Sequence, residues 1–128
     1  MTADFLAFVI PGPPQPKERP RVGKRGHVYT PRRTSSYEGK ARVNALAAVA
    51  SCRWRREPGS RYAVDLAVYF PDARRRDLDN VAKAVLDACD GVAFADDAEV
   101  DELHVVRAVD RERPRVEVSV RRRQRGVA

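Results

Sequence analysis

Prolines and glycines cut this chain into short segments, and that punctuation limits what it can fold into. Pro11-Gly-Pro-Pro-Gln-Pro16 stops an apolar run at Phe5–Ile10, Pro58-Gly59-Ser60 separates a helix-like stretch from a strand-like one, and Pro71 follows that strand. Proline lacks the N–H that helix interiors and central strands require, so each cluster is a boundary. The chain has 128 residues, enough for one domain with one core and too few for two. Phe5–Ile10 is too short for a membrane span or the apolar part of a signal peptide, so the expectation is a cytoplasmic protein with no membrane segment. Cys52 and Cys89 stand far apart with no CxxC pattern, which fits a reducing compartment. With only His27 and His104 beside them, a zinc site is not indicated.

Between the breaks, the patterns read as an order β–(hairpin)–α–β–α–β–β. Phe5–Ile10 reads as a central strand, and Lys24-Arg-Gly26 as a turn inside a basic loop with His27–Tyr29 as its returning strand. Thr34 or Ser35 can cap a helix running to about Trp54, with Val43, Leu46, Ala47, Ala50 and Trp54 on one face. Tyr62–Phe70 alternates as a strand. A second helix begins near Asn80, with Val81, Ala84, Val85 and Ala88 as its stripe and Gly91 just past its end. Glu102–Val109 and Arg115–Val120 read as a closing antiparallel hairpin turned at Arg111-Glu-Arg-Pro114. The expected division is a domain over residues 1–120 and a basic tail over 121–128.

Charge is sharply segregated. The net charge is +7, yet residues 17–42 hold nine basic groups against two acidic ones, and residues 65–102 hold eleven acidic groups against four basic ones. A pure DNA-binding module gains nothing from an acidic middle, because carboxylates repel phosphate. An enzyme that holds a divalent cation against a phosphodiester needs both signs. Lys17, Arg19 and Arg21 of the N-terminal loop, with Arg74, Arg75 and Arg76, are the candidates for tracking a DNA backbone.

The acidic middle contains Arg74-Arg-Arg-Asp77-Leu78-Asp79-Asn80-Val-Ala-Lys83 and, later, Asp96-Asp97. If residues 77–79 are extended, Asp77 and Asp79 point one way and Leu78 points into the core. Mg²⁺ takes one or two carboxylates plus waters and substrate phosphate oxygens, which such a pair can supply. Lys83, four residues after Asp79, falls one helical turn along on roughly the same face. For Asp97 to reach the first pair, Val92–Ala95 must run back along the helix as a short strand. The plainer alternative is that Asp77 and Asp79 cap the helix, Lys83 pairs with Asp87, and Asp96-Asp97 is a solvated turn. An EF-hand reading from Asp97 fails, since its sixth position is Glu102 rather than glycine and its twelfth is Ala108.

Asp77-Leu-Asp-Asn80, Lys83, Leu86-Asp87-Ala88, Gly91 and Asp96-Asp97-Ala-Glu-Val100 resemble the signature of the RusA family of Holliday-junction resolvases. Ile10-Pro-Gly-Pro-Pro, Pro16-Lys-Glu-Arg-Pro-Arg21 and Val28-Tyr-Thr-Pro31 look like the opening of its phage and prophage members. The resemblance spans about residues 5–120. It implies an α+β fold, with a mixed sheet backed by two helices. It also implies a Mg²⁺-dependent homodimeric endodeoxyribonuclease that cuts four-way DNA junctions in recombination, repair or phage DNA processing. Carried over, Asp77, Asp79 and Asp97 are the metal-binding and catalytic acids, Asp96 is a further candidate beside them, and Lys83 is the essential lysine. Gln15-Pro-Lys17 stands where some members carry an asparagine soon after the opening Pro-Pro, so junction contacts in that loop do not transfer residue by residue. The competing class is a non-catalytic branched-DNA-binding protein, a degenerate prophage relic; it would be marked by loss of a carboxylate or of the lysine, and none is lost.

Overall fold

The structure is a computed structural model describing residues 3–57 and 59–123. In chain order the elements are β1 (Phe5–Pro11), β2 (Arg21–Val22), β3 (Val28–Tyr29), α1 (Arg32–Cys52), β4 (Tyr62–Phe70), α2 (Leu78–Cys89), β5 (Val100–Val109) and β6 (Arg115–Arg122). Short 3-10 turns stand at Lys24–Gly26, inside the β2–β3 hairpin, and at Asp97–Glu99. The mixed four-stranded sheet has the order β1-β6-β4-β5. It is an α+β domain of the expected class.

β4 organises the sheet. Its alternation puts Tyr62, Val64, Leu66, Val68 and Phe70 on the helix-covered face, all buried. It pairs with β5 in parallel and with β6 antiparallel. Parallel neighbours need a crossover, and α2 supplies it, packing Val81, Ala82, Ala84, Val85, Ala88 and Cys89 into the core. The predicted stripe of the second helix is therefore present. Among the described residues no helix covers the opposite sheet face, which Ala7, Asp65, Ala67 and Ser119 line together with the exposed Val9 and Val106.

Three expectations are corrected. The closing hairpin does not form: β4 lies between β5 and β6, and the Asp110–Pro114 connection passes the end of β4, where Asp110 N–H donates to Phe70 O at 2.8 Å. β5 and β6 run in opposite directions either way, so periodicity cannot tell direct pairing from pairing across an inserted strand. Burial decides it, because β4 is apolar enough to need a neighbour on each edge. β1 is an edge strand rather than a central one; it pairs with β6, and Phe5 and Val9 are exposed.

The third correction concerns α1. Its buried face is Thr34, Tyr37, Ala41 and Ala45, while Val43 and Leu46 are 65% and 49% exposed. Alanines surround this helix, so the apolar pattern carries little directional signal. The face that wins is the one whose small side chains let α1 approach α2 closely. Pro31 rather than Thr34 or Ser35 occupies the N-cap position, and Thr34 Oγ1 instead accepts from Glu18 N–H at 3.0 Å. At the C-terminus, β6 continues through Arg122, whose guanidinium stacks on Trp54 at 4.4 Å, and Arg123 Nη1 meets Asp101 at 3.1 Å. Those first residues of the expected tail belong to the fold; residues 124–128 lie outside the described residues.

Candidate active site

α2 begins earlier than the sequence pattern suggests. Asp77 is its extended N-cap residue, with φ −81° and ψ 108°, and Asp79 already lies in the first helical turn. Leu78 packs partly buried against the core, as expected. Asp77 does not cap with its side chain; its Oδ2 accepts from Asn80 Nδ2 at 3.3 Å, and Asp79 Oδ1 accepts from Asn80 N–H at 3.0 Å. Both carboxylates are exposed. From Asp79, Lys83 and Asp87 follow at four-residue steps along one side of the helix.

The return from the end of α2 is a tight turn, not a strand. Gly91 takes φ +77°, a left-handed conformation natural for the residue after a helix C-cap. Its N–H donates to Phe94 O at 2.8 Å, and Val92 and Ala93 N–H both donate to Cys89 O at 3.0 Å. Phe94 is fully buried beside Tyr62, with ring centroids 6.1 Å apart, and Trp54 Nε1 donates to Ala93 O at 2.8 Å. This packing folds the chain back so that Asp97 Oδ2 stands 3.9 Å from Lys83 Nζ. Asp96 has a structural task here, its Oδ1 accepting from Ala98 N–H at 2.7 Å within a capping box with Glu99.

Lys83 and Asp97 are thus brought together, whereas Asp77, Asp79 and Asp97 do not form a close three-acid group among the described residues. Asp87, Asp90 and Asp97 offer oxygens that all lie within 4.8 Å of one another. Asp77 and Asp79 stand at the opposite end of α2, roughly 20 Å and 16 Å along the axis from Asp90 at 1.5 Å per residue. Asp90 Oδ1 is buried and has no hydrogen-bond partner. Burial first, then the neighbouring carboxylates of Asp97, Asp87 and Asp96, hold its carboxyl above the usual range. Asp90 escaped the sequence reading; its one signal was a place in the acidic run just before the helix-ending glycine. Hard oxygen donors in this number suit a divalent cation such as Mg²⁺, and a buried, unbonded carboxylate oxygen is an available ligand atom.

The basic groups divide into solvent-facing and internal ones. Arg19, Arg21, Arg74 and Arg75 are exposed, with Arg21 loosely paired to Glu18 at 3.1 Å. Arg76 bonds Asp72 at 2.7 Å and stacks on Phe70. Lys17 turns inward: its ammonium bonds Asp87 Oδ2 and lies 3.1 Å from Glu38 Oε1. The hydrogen bond it donates to Asp87 is the main cause of its raised pKa. Arg107 of β5, which the sequence reading did not single out, stacks on Phe70 and donates to the carbonyls of Arg74 and Arg76, bracing the basic loop. An arginine amid apolar strand residues was its only signal.

The family described as Endodeoxyribonuclease RusA matches this chain over residues 11–121. A crossover junction endodeoxyribonuclease, rusA, of Enterobacteria phage HK97 is 43% identical over 51 residues, which are 39% of this chain and 42% of the relative. The matched stretch therefore spans less than half of that relative's length.

Proposed function

The chain belongs to the RusA family of endodeoxyribonucleases, and from that premise we propose that it is a Mg²⁺-dependent endodeoxyribonuclease that resolves four-way DNA junctions. The observation that carries this reading is the meeting of Lys83 Nζ with Asp97 Oδ2, 3.9 Å apart, beside the carboxylates of Asp87 and Asp90. It combines a cation for developing phosphate charge with acids able to hold a metal, at the edge of a basic loop.

In this reading Asp97, beside Asp90, is the metal-holding acid nearest Lys83, and Asp77 and Asp79, which the family resemblance alone assigns to the metal, stand further along α2. A bound divalent cation supplies an activated water and offsets charge on the scissile phosphate. Lys83, 56% exposed, is accessible to substrate and stabilises the additional negative charge that builds on the phosphate oxygens, or orients the attacking water. Arg19, Arg21, Arg74 and Arg75 track the backbone without reading bases. A homodimer is part of the reading, because a four-way junction has approximate two-fold symmetry and two opposed strands to cut. β5 supports self-association: it is a ten-residue edge strand with no partner on its outer side among the described residues. No helix among the described residues is long and apolar enough to cross a membrane. A DNA substrate fits a protein working in the cytoplasm of a bacterial or phage-infected cell.

The test is incubation with a labelled four-way junction in Mg²⁺ or EDTA. Paired nicks only with Mg²⁺ are expected, and Asp79→Asn and Asp97→Asn should each retard the junction without cutting it. Retarded, intact DNA under both conditions with wild-type protein would make it a branched-DNA binder instead. Cleavage at wild-type rate by either variant would remove that acid from the site.

A further inference from the structure

We propose that Asp87 is a positioning residue of this reaction, aiming Lys83 toward Asp97 with one carboxylate oxygen and anchoring the N-terminal basic loop through Lys17 with the other. The inference rests on the reading of Lys83 and Asp97 as site residues. Asp87 Oδ1 lies 3.5 Å from Lys83 Nζ, and Lys83 Nζ lies 3.9 Å from Asp97 Oδ2, so one ammonium is held between carboxylates of two separate elements. Asp87 Oδ2 receives the ammonium of Lys17. The segment around Lys17 is tied down by its main chain as well: Lys17 N–H donates to Asn80 O at 2.9 Å, and Glu18 N–H to Thr34 Oγ1 at 3.0 Å. Directly beyond this clamp come Arg19 and Arg21, both exposed.

Two cations on one carboxylate fix its orientation, and through it the placing of both lysines. Lysine has a flexible four-carbon stem, so an unrestrained Lys83 would sweep many rotamers. The Asp87 side chain is only 20% exposed and sits where both chains can reach it. Both of its oxygens face ammonium groups, so within the Asp87–Asp90–Asp97 group the proposal gives Asp87 the placing of the lysines and leaves the cation to the oxygens of Asp90 and Asp97. The Lys83 side chain is 56% exposed, and ion pairs of that kind add little to stability. Loss of Asp87 should therefore appear in turnover and loop placement more than in melting temperature.

The experiment is single-turnover and steady-state cleavage of a four-way junction by the full chain. Asp87→Asn should lower kcat by up to about a hundredfold, the scale of a catalytic group misplaced by about 1 Å, and leave the Mg²⁺ concentration for half-maximal rate unchanged. Asp87→Glu, which keeps the charge, should recover part of that loss. Lys17→Met should raise KM more than it lowers kcat. In a Lys83→Met background, Asp87→Asn should cost less than about twofold, since the two act through one another. An equal loss in both backgrounds, an unchanged kcat in Asp87→Asn, or a shifted Mg²⁺ requirement would each overturn the proposal, the last by making Asp87 a ligand. If Lys83→Met and Asp97→Asn cut at the wild-type rate, the site reading itself falls; if they are impaired and Asp87→Asn is not, only this inference falls.

Discussion

Phe94 offers a direct way to ask whether packing places the site. Its ring is fully buried at the turn that carries Asp97 back to Lys83, tilted 43° against Tyr62. Phe94→Leu keeps most of the volume and the apolar character but removes the aromatic pair. Losing such a pair costs about 0.5–1.5 kcal/mol. Imperfect refilling of the space by a similar-sized apolar chain costs up to about 1.5 kcal/mol more. A total near 2 kcal/mol is tolerable against a typical stability of about 5–15 kcal/mol, so the variant should fold. For a domain of this size it should melt roughly 6–10 °C lower. The functional loss should exceed what unfolding explains, because the turn sets Lys83 Nζ and Asp97 Oδ2 3.9 Å apart and a shift of about 1 Å in a reacting group can cost about a hundredfold in rate. Urea denaturation and single-turnover junction cleavage, both at 25 °C, give the two numbers. A variant destabilised by 2 kcal/mol yet cutting at the wild-type rate would show that this turn does not set the position of Asp97.

Other outcomes follow from the same geometry. The Asp72 carboxyl is held down to about 2, chiefly by the Arg76 guanidinium and then by the Arg74 N–H. Asp101 is lowered chiefly by Arg61, and Asp110 chiefly by the Arg113 N–H and then by Arg115. Lowered folded-state values mean stability that is present above the ordinary carboxyl value of 3.8 and lost as pH falls through the folded values, so the melting temperature should drop between about pH 4 and pH 2, and Arg76→Met should flatten part of that drop. Burial pushes the Cys89 thiol up to about 12, so a thiol reagent at pH 8 should label Cys52 and spare Cys89 until the protein is unfolded; equal labelling rates would contradict the packing of α2. Neutralising Arg19, Arg21, Arg74 or Arg75 should each reduce the salt dependence of junction binding by about one unit of slope. Lys17→Met should change that slope less, because its ammonium faces Asp87 and Glu38.

The elements that were legible before folding are those with strong local patterns. β4 runs over Tyr62–Phe70 as its alternation indicates, the β2–β3 hairpin turns at Lys24–Gly26, and α2 buries the stripe its periodicity marks. These rest on interactions a few residues apart, so a linear reading captures them. The acidic residues and Lys83 on and after α2 stand out in the same linear reading. Their connectivity does not: Asp96, a further candidate beside Asp97 in the sequence, caps the 3-10 turn, and Lys17, a candidate DNA contact, turns inward to Asp87 and Glu38.

Local pattern settled which segments become strands and helices. Three-dimensional packing alone chose the strand order, the buried face of α1 and the partner of each charge. Side-chain periodicity is a property of neighbours along the chain, whereas β4 entering between β5 and β6, and Asp97 arriving at Lys83, are contacts between distant residues that only burial of one shared core selects.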